Sequence, residues 1–311
     1  MHNTHKRNIE DNYDEVDLKE IFEILIRRKW TIMLITLFFS VTSVIYSFNL
    51  PNLYESKAIL IPQSSGGNAY SSFQNYSDLA NLAGINIPSQ SSKSNPKKAK
   101  EKLKSFSFFE NNILPNIFLP ELMAVDFWDA KLNKLEFKKH IYNESSGLWA
   151  KKDSKSLIPS TQNSFNVFQN HIKINEDVET GFIILKIKHQ SPHIAKRWVE
   201  LIVSEINHYY SNKDKKSSES AINFLNQQIA ETSLTEIKQV LSSLLQQETQ
   251  KLMLAESSES YVYEYLDPPI VMEGFSEPRR DLIFFIITFL GALFGILVVL
   301  IRHYVFQTKD F

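Results

Sequence analysis

The chain has 311 residues, a formal net charge of −1, 43% hydrophobic residues and no cysteine. A charge this close to zero gives no electrostatic case for a nucleic-acid partner. A chain without cysteine can have no disulfide scaffold, thiol nucleophile or Cys-ligated zinc site.

Residues 1–29 begin polar and become amphipathic. Leu18, Ile21, Phe22, Leu25 and Ile26 fall at helical spacing, which predicts a short helix over 14–29. From Trp30 to Tyr54 there is no charge. That run is long enough to cross roughly 30 Å of hydrocarbon with some tilt, and the first span is placed at 30–50. It is too long for the apolar region of a cleaved leader and is read as an uncleaved anchor.

"YESKAILIP", Tyr54–Pro62, reads as a strand. Gln63–Lys100 is dense in Ser, Asn and Gly and reads as a flexible loop, with room for a short helix at Tyr76–Ala83. Its Gly66-Gly67 pair lacks the Gly-Lys-Ser/Thr that a phosphate loop requires. In 101–160 the spacing predicts helical pieces broken at Pro115 and Pro120. The aromatic residues there are expected to form a core layer rather than a nucleic-acid surface.

Phe165–Gln190 reads as a hairpin. His171–Ile174 and Leu185–Lys188 alternate in polarity, and "NEDVETG" supplies the turn. Ser191 is the predicted N-cap of the next helix, with Pro192 in its first turn. No Gly or Pro occurs from His193 to Asp267. One continuous helix over that stretch would reach about 110 Å at about 1.5 Å per residue. Its expected weak point is Ser211–Ser220, because Ser and Asp are poor helix formers. Ile222, Leu225, Ile229, Leu234, Ile237, Leu241 and Leu244 form an apolar stripe at three- and four-residue spacing. The stripe would pack on its own domain or on a neighbouring subunit. A last strand from Val262 to Leu266 ends at Pro268 and Pro269, and is expected beside the first strand.

Leu282–Ile301 is 20 residues without a charge and is the second predicted span. Gly291 and Gly295 give it a small-xxx-small face, suited to the other span or to another subunit. Lys19, Arg27, Arg28 and Lys29 precede the first span, and Arg302 and Lys309 follow the second. This bias predicts both termini in the cytoplasm and residues 51–281 outside it. The plan is then a cytoplasmic segment (1–29), a span (30–50), an outer α/β unit with a helical arm over about 192–260, a span (282–301) and a tail (302–311).

Catalytic signatures are missing. The histidines show no ligand spacing, and no nucleophile elbow or phosphate loop occurs. No metal, no cofactor and no enzymatic activity are expected. The ten residues after Ile301 leave no room for an output domain.

The order of parts resembles the Wzz-type polysaccharide co-polymerases, the O-antigen chain-length determinant family. The matching stretches are Ser191–Asn207, Ala221–Pro269 and Glu277–Arg302. Within them Pro268, Pro269, Pro278, Arg280, Gly291 and Gly295 fall at the places of the family's proline-rich motif and second span. The long Ser/Asn loop and the Arg279-Arg280 pair depart from the family pattern. The resemblance implies an α+β membrane protein: two transmembrane helices flanking a periplasmic α/β base with a very long helix. It implies an inner-membrane homo-oligomer in contact with lipid, acting with a Wzy-type polymerase on growing O-antigen polysaccharide. The absence of a kinase segment favours the lipopolysaccharide branch. The rival is a subunit of a capsule or exopolysaccharide export complex. A two-span sensor or channel fits less well, for want of an output domain or of charged residues in the spans.

Overall fold

The computed structural model describes residues 18–63, 96–152 and 155–306. The chain forms two compact units, one of residues 1–51 with 277–311 and one of 52–276.

The first unit is helical. Helix α1 (Leu18–Arg27) leads into α2 (Lys29–Asn49), and α8 (Arg280–Phe306) packs along α2. Both α2 and α8 are long and apolar enough to cross a membrane. Their outward side chains, Trp30, Phe38, Phe285 and Phe289 among them, are exposed. Such a surface suits hydrocarbon and not water. Among the α1 side chains described, from Ile21 on, Ile24 is buried, while Phe22 and Ile26 of the predicted face are exposed.

The second unit is built on a four-stranded antiparallel sheet. Its strands are β1 (Tyr54–Pro62), β4 (Ile172–Glu176), β5 (Ile183–His189) and β6 (Tyr263–Asp267), in the order β6–β1–β5–β4. The predicted first and last strands are therefore neighbours. Alternation selects the faces. Ala58, Leu60, Ile183, Leu185 and Ile187 are buried on one side. On the other, Glu55 lies opposite Lys188 and pairs with Lys186 at 2.8 Å. Gly181 closes the β4–β5 turn at φ +70, a left-handed conformation that glycine adopts without strain.

Helix α6 (Pro192–Glu231) lays its first half over the apolar face. Ile194, Ala195, Trp198, Val199, Ile202 and Ile206 are buried there. Phe108, Phe109, Ile113, Leu122 and Phe168 complete the same core. The aromatic residues of 101–160 thus supply a core layer in part. Pro115 and Pro120 each sit in the first turn of a short helical piece, Leu114–Asn116 and α4 (Leu119–Met123). That position tolerates a missing N–H.

Four expectations need correction. Pro96–Leu103, assigned partly to the loop, is helix α3. The hairpin does not begin at Phe165: Thr161–His171 is helix α5, capped by the Ser160 hydroxyl, which accepts from the Asn163 N–H. A hairpin was missed at β2 (Val125–Asp129) and β3 (Lys134–Phe137), where the Asp129 carboxylate accepts from the Lys131 and Leu132 N–H groups of the turn. Finally, the long Gly- and Pro-free stretch is two helices, α6 and α7 (Thr235–Ser257), joined at 232–234. The expected helix at Tyr76–Ala83 lies outside the described residues.

Candidate functional site: paired spans and helical arm

Gly291 and Gly295 face α2 of the same chain. A Cβ at residue 291 would lie 2.5 Å from Phe39 Cβ, and one at 295 would lie 3.4 Å from Ile32 backbone atoms. Small residues let the helix backbones approach closely. Ser43 and Ser47 are buried on the α2 side, and the Ser43 hydroxyl donates to Ile283 O at 3.4 Å. At one end of the pair the Arg280 guanidinium lies 5.0 Å over the Phe48 ring, within cation–π range. Of the prolines singled out with them, Pro269 is buried just after β6, Pro268 is exposed, and Pro278 precedes α8.

The arm is a helical hairpin. Helices α6 and α7 run back along each other, joined by Thr232, Ser233 and Leu234 in extended conformation at its caps. The Thr232 N–H returns to Gln228 O at 3.1 Å. The apolar stripe is therefore folded in two. Leu225, Leu241 and Leu244 form its buried centre, with Ile229 and Ile237 packed against them. Ile222 is half-buried, and Leu234 is 57% exposed at the bend. At about 1.5 Å per residue, the 40 residues of α6 reach about 60 Å, roughly half of the span expected for a single helix.

A polar ladder continues the stripe towards the sheet. Asn207, Ser211, Asp214 and Ser218 follow each other at spacings of four, three and four, in phase with Ile222, Leu225 and Ile229. The Asn207 carboxamide accepts from the Val262 and Tyr263 N–H groups at 2.8 and 2.9 Å and donates to Tyr263 O at 2.9 Å. Ser211 donates to Ala255 O at 2.6 Å. Tyr261 donates to the Asp214 carboxylate at 2.8 Å, and Ser218 donates to Glu248 at 2.8 Å. Burial, followed by the bond to Asp214, raises the Tyr261 hydroxyl well above its ordinary value. Burial pushes Tyr210 up to about 12. Both phenols are neutral at any physiological pH.

This ladder explains the absence of a break at Ser211–Ser220. Ser and Asp destabilise a helix when they compete for its own backbone. Here Ser211, Asp214 and Ser218 bond across the hairpin or to the turn before β6 instead. Sequence reasoning missed them because they are polar. The signal was their phase with the apolar stripe.

At the foot of α6, His189 is buried between Trp198 and His171, with ring centroids 5.0 and 5.9 Å away. Its Nδ1 accepts the Ser191 N–H at 2.9 Å, so Nε2 carries the proton and donates to Glu121 O at 2.9 Å. Burial lowers its pKa to about 4. His171, also lowered by burial, has Nδ1 2.6 Å from Lys188 O. Ser191 begins α6 as expected, but its hydroxyl makes no cap bond. The neighbouring His189 anchors its N–H instead. Among the described residues no three His, Cys, Asp or Glu side chains converge as a metal site.

Residues 14–113 match the family model described as Wzz, chain length determinant protein. This stretch, 100 of the 311 residues, is similar to the Wzz family. The segment holds α1, α2, β1 and α3, all of which lie before the stretches Ser191–Asn207, Ala221–Pro269 and Glu277–Arg302. Solved structures similar to the chain include two polysaccharide co-polymerases. One is a full-length bacterial polysaccharide co-polymerase, with 12% identity, 95% of this chain and 100% of that one covered, and a TM-score of 0.44. The other is a fragment of WzzB, a polysaccharide co-polymerase from Salmonella Typhimurium, with 14% identity, 73% and 100% covered, and a TM-score of 0.31. No curated protein matches the chain. A segment similar to the Wzz family and two helices of membrane-crossing length fit a protein of the inner membrane.

Proposed function

We propose that this protein is a non-enzymatic regulator of O-antigen chain length in the bacterial inner membrane. The observation that carries this reading is the Wzz-type match over 14–113, in a chain whose two apolar helices flank one folded unit. Both termini lie in the cytoplasm and the 52–276 unit lies in the periplasm, following the bias of Lys and Arg around the spans. Copies of the chain assemble side by side. Gly291 and Gly295 hold each span pair together, and Pro268, Pro269, Pro278 and Arg280 set the passage between the folded unit and the second span. The hairpin arms, held by the stripe from Ile222 to Leu244, build a periplasmic wall that meets the growing polysaccharide and its Wzy-type polymerase.

The test is deletion of the gene, with lipopolysaccharide resolved on a gel. A lost or shifted modal length supports the reading. An unchanged ladder removes it, and an unchanged ladder with lost capsule or exopolysaccharide moves the protein to an export complex.

A further inference from the structure

Helix α6 has a second polar face. At 3.6 residues per turn, Glu205, Tyr209, Asn212 and Lys216 share one side of it, roughly opposite the ladder of Asn207, Ser211, Asp214 and Ser218. With His208, Lys213 and Asn112 they line a groove of ≈ 530 Å³, a size common for small-molecule sites. Asn112 comes from Phe109–Ile113, a π turn, a form often kept at functional sites. Phe109 and Ile113 of that turn enter the core, while Asn112 stays half-buried at the groove.

Glu205 is held from two sides. Asn112 Nδ2 donates to one carboxylate oxygen at 3.2 Å, and Asn116 Nδ2 donates to the other at 3.3 Å. A carboxylate has about four acceptor sites, so about half remain open. Among the described residues no cation pairs with Glu205, and no carboxylate pairs with Lys213 or Lys216. The half-buried Tyr209 ring makes an apolar wall, edge-on to Phe108 with centroids 6.3 Å apart. The Lys102 amine lies 4.7 Å over that ring and adds positive charge beside the groove.

A fixed carboxylate without a cation is a strong acceptor for hydroxyl groups. The two lysines, without carboxylates, call for an anionic group. The aromatic wall suits the C–H side of a pyranose ring. We propose that this groove binds an acidic sugar unit of a glycan: Glu205 accepts its hydroxyls, and Lys213 and Lys216 take its anionic group. A neutral sugar would leave both amines without a counter-charge, and a free phosphate would leave Glu205 unused. The inference rests on the reading that the protein meets a growing polysaccharide, and it assigns that contact to α6 before the leucine stripe of the arm begins.

The full chain, purified in detergent, is titrated with surface polysaccharide released by mild acid from the strain that makes it. Saturation transfer from protein to sugar protons reads the binding. Two portions are treated first: carboxyl reduction turns uronates into neutral sugars, and hydrogen fluoride removes phosphate esters. One of the two treatments should weaken binding by about tenfold or more, the worth of a charged hydrogen bond. Glu205→Gln should weaken binding of the untreated polysaccharide to a similar degree. Lys213→Gln with Lys216→Gln should bind treated and untreated polysaccharide alike. Both lysines are exposed, and helical circular dichroism checks that this variant is folded. Lys238→Gln, which removes an exposed charge on α7 outside the groove, should match the wild type. Binding that survives both treatments overturns the site, and so does unchanged binding by both groove variants. If those variants instead alter the oligomer captured by chemical cross-linking, a second copy covers the groove and the site fails. The deletion ladder reports separately. A changed ladder with no glycan bound removes the groove alone, and an unchanged ladder with the expected binding removes the regulator and leaves the groove.

Discussion

Phe39 occupies the place where a side chain on residue 291 would begin: its Cβ is 2.5 Å from that position. At residue 295 the nearest atoms of Ile32 stand back at 3.4 Å, an ordinary contact. The two glycines of the small-xxx-small face are thus unequal. Gly291→Ala should lower the thermal midpoint of the purified full chain in detergent, and Gly295→Ala should leave it nearly unchanged. Phe39→Ala should rescue Gly291→Ala only in part, because the Cβ remains. In cells, Gly291→Leu with Gly295→Leu should lower the amount of protein or shift the polysaccharide length distribution. Equal midpoints for the two single alanine variants would contradict the close approach.

The bend at 232–234 makes a second prediction. Leu241 is fully buried in the hairpin, whereas Leu234 is 57% exposed. Leu241→Ala should destabilise the folded unit by about 2–5 kcal/mol, and Leu234→Ala by less than about 0.5 kcal/mol. Denaturant unfolding followed by helical circular dichroism reads both. Similar losses would favour one uninterrupted stripe over a folded one.

Asn207 holds three backbone groups at the entry to β6. Asn207→Ala leaves the Val262 and Tyr263 N–H groups and the Tyr263 carbonyl without it. At about 1–3 kcal/mol for each buried group left unsatisfied, the loss should exceed that of any exposed Ser or Gln on the arm. Asn207→Asp keeps the acceptor and loses the donor, and should fall between. Backbone hydrogen exchange at Tyr263 should rise in the alanine variant.

His189 gives the fold an acid-sensitive point. Its folded pKa of about 4 lies below the ordinary 6.5, so between those values the unfolded chain binds a proton that the folded chain refuses. Stability is full above pH 6.5 and falls as pH drops towards 4. Protonation of Nδ1 also removes the acceptor for the Ser191 N–H at the start of α6. The midpoint measured from pH 7.5 to 4.5 should fall, and His189→Gln should start lower and fall less steeply. An identical slope in the variant would show that other groups carry the acid response.

Topology can be tested directly. Alkaline phosphatase fused after Gln63 should be active, and a fusion after Lys309 should be inactive. The reverse pattern would invert the orientation drawn from the Lys and Arg bias.

The sequence alone was enough to place both apolar helices, the strand at Tyr54–Pro62, and the alternation of Ile172–Ile174 and Leu185–Lys188. In each, a single local property decides the structure: an uncharged run long enough for hydrocarbon, or a two-residue period with one face buried. Tertiary structure decided where the long helical stretch folds. Ser211, Asp214 and Ser218 look like breakers to a local reading, and Thr232-Ser233 does not look more so. What separates them is a hydrogen-bond partner reached across the hairpin or in the turn before β6, supplied by Ala255, Glu248 and Tyr261, residues 30 to 47 positions away. The partner of Gly291 was likewise open until the chain returned Phe39 to it, because a small-residue face states only that something comes close.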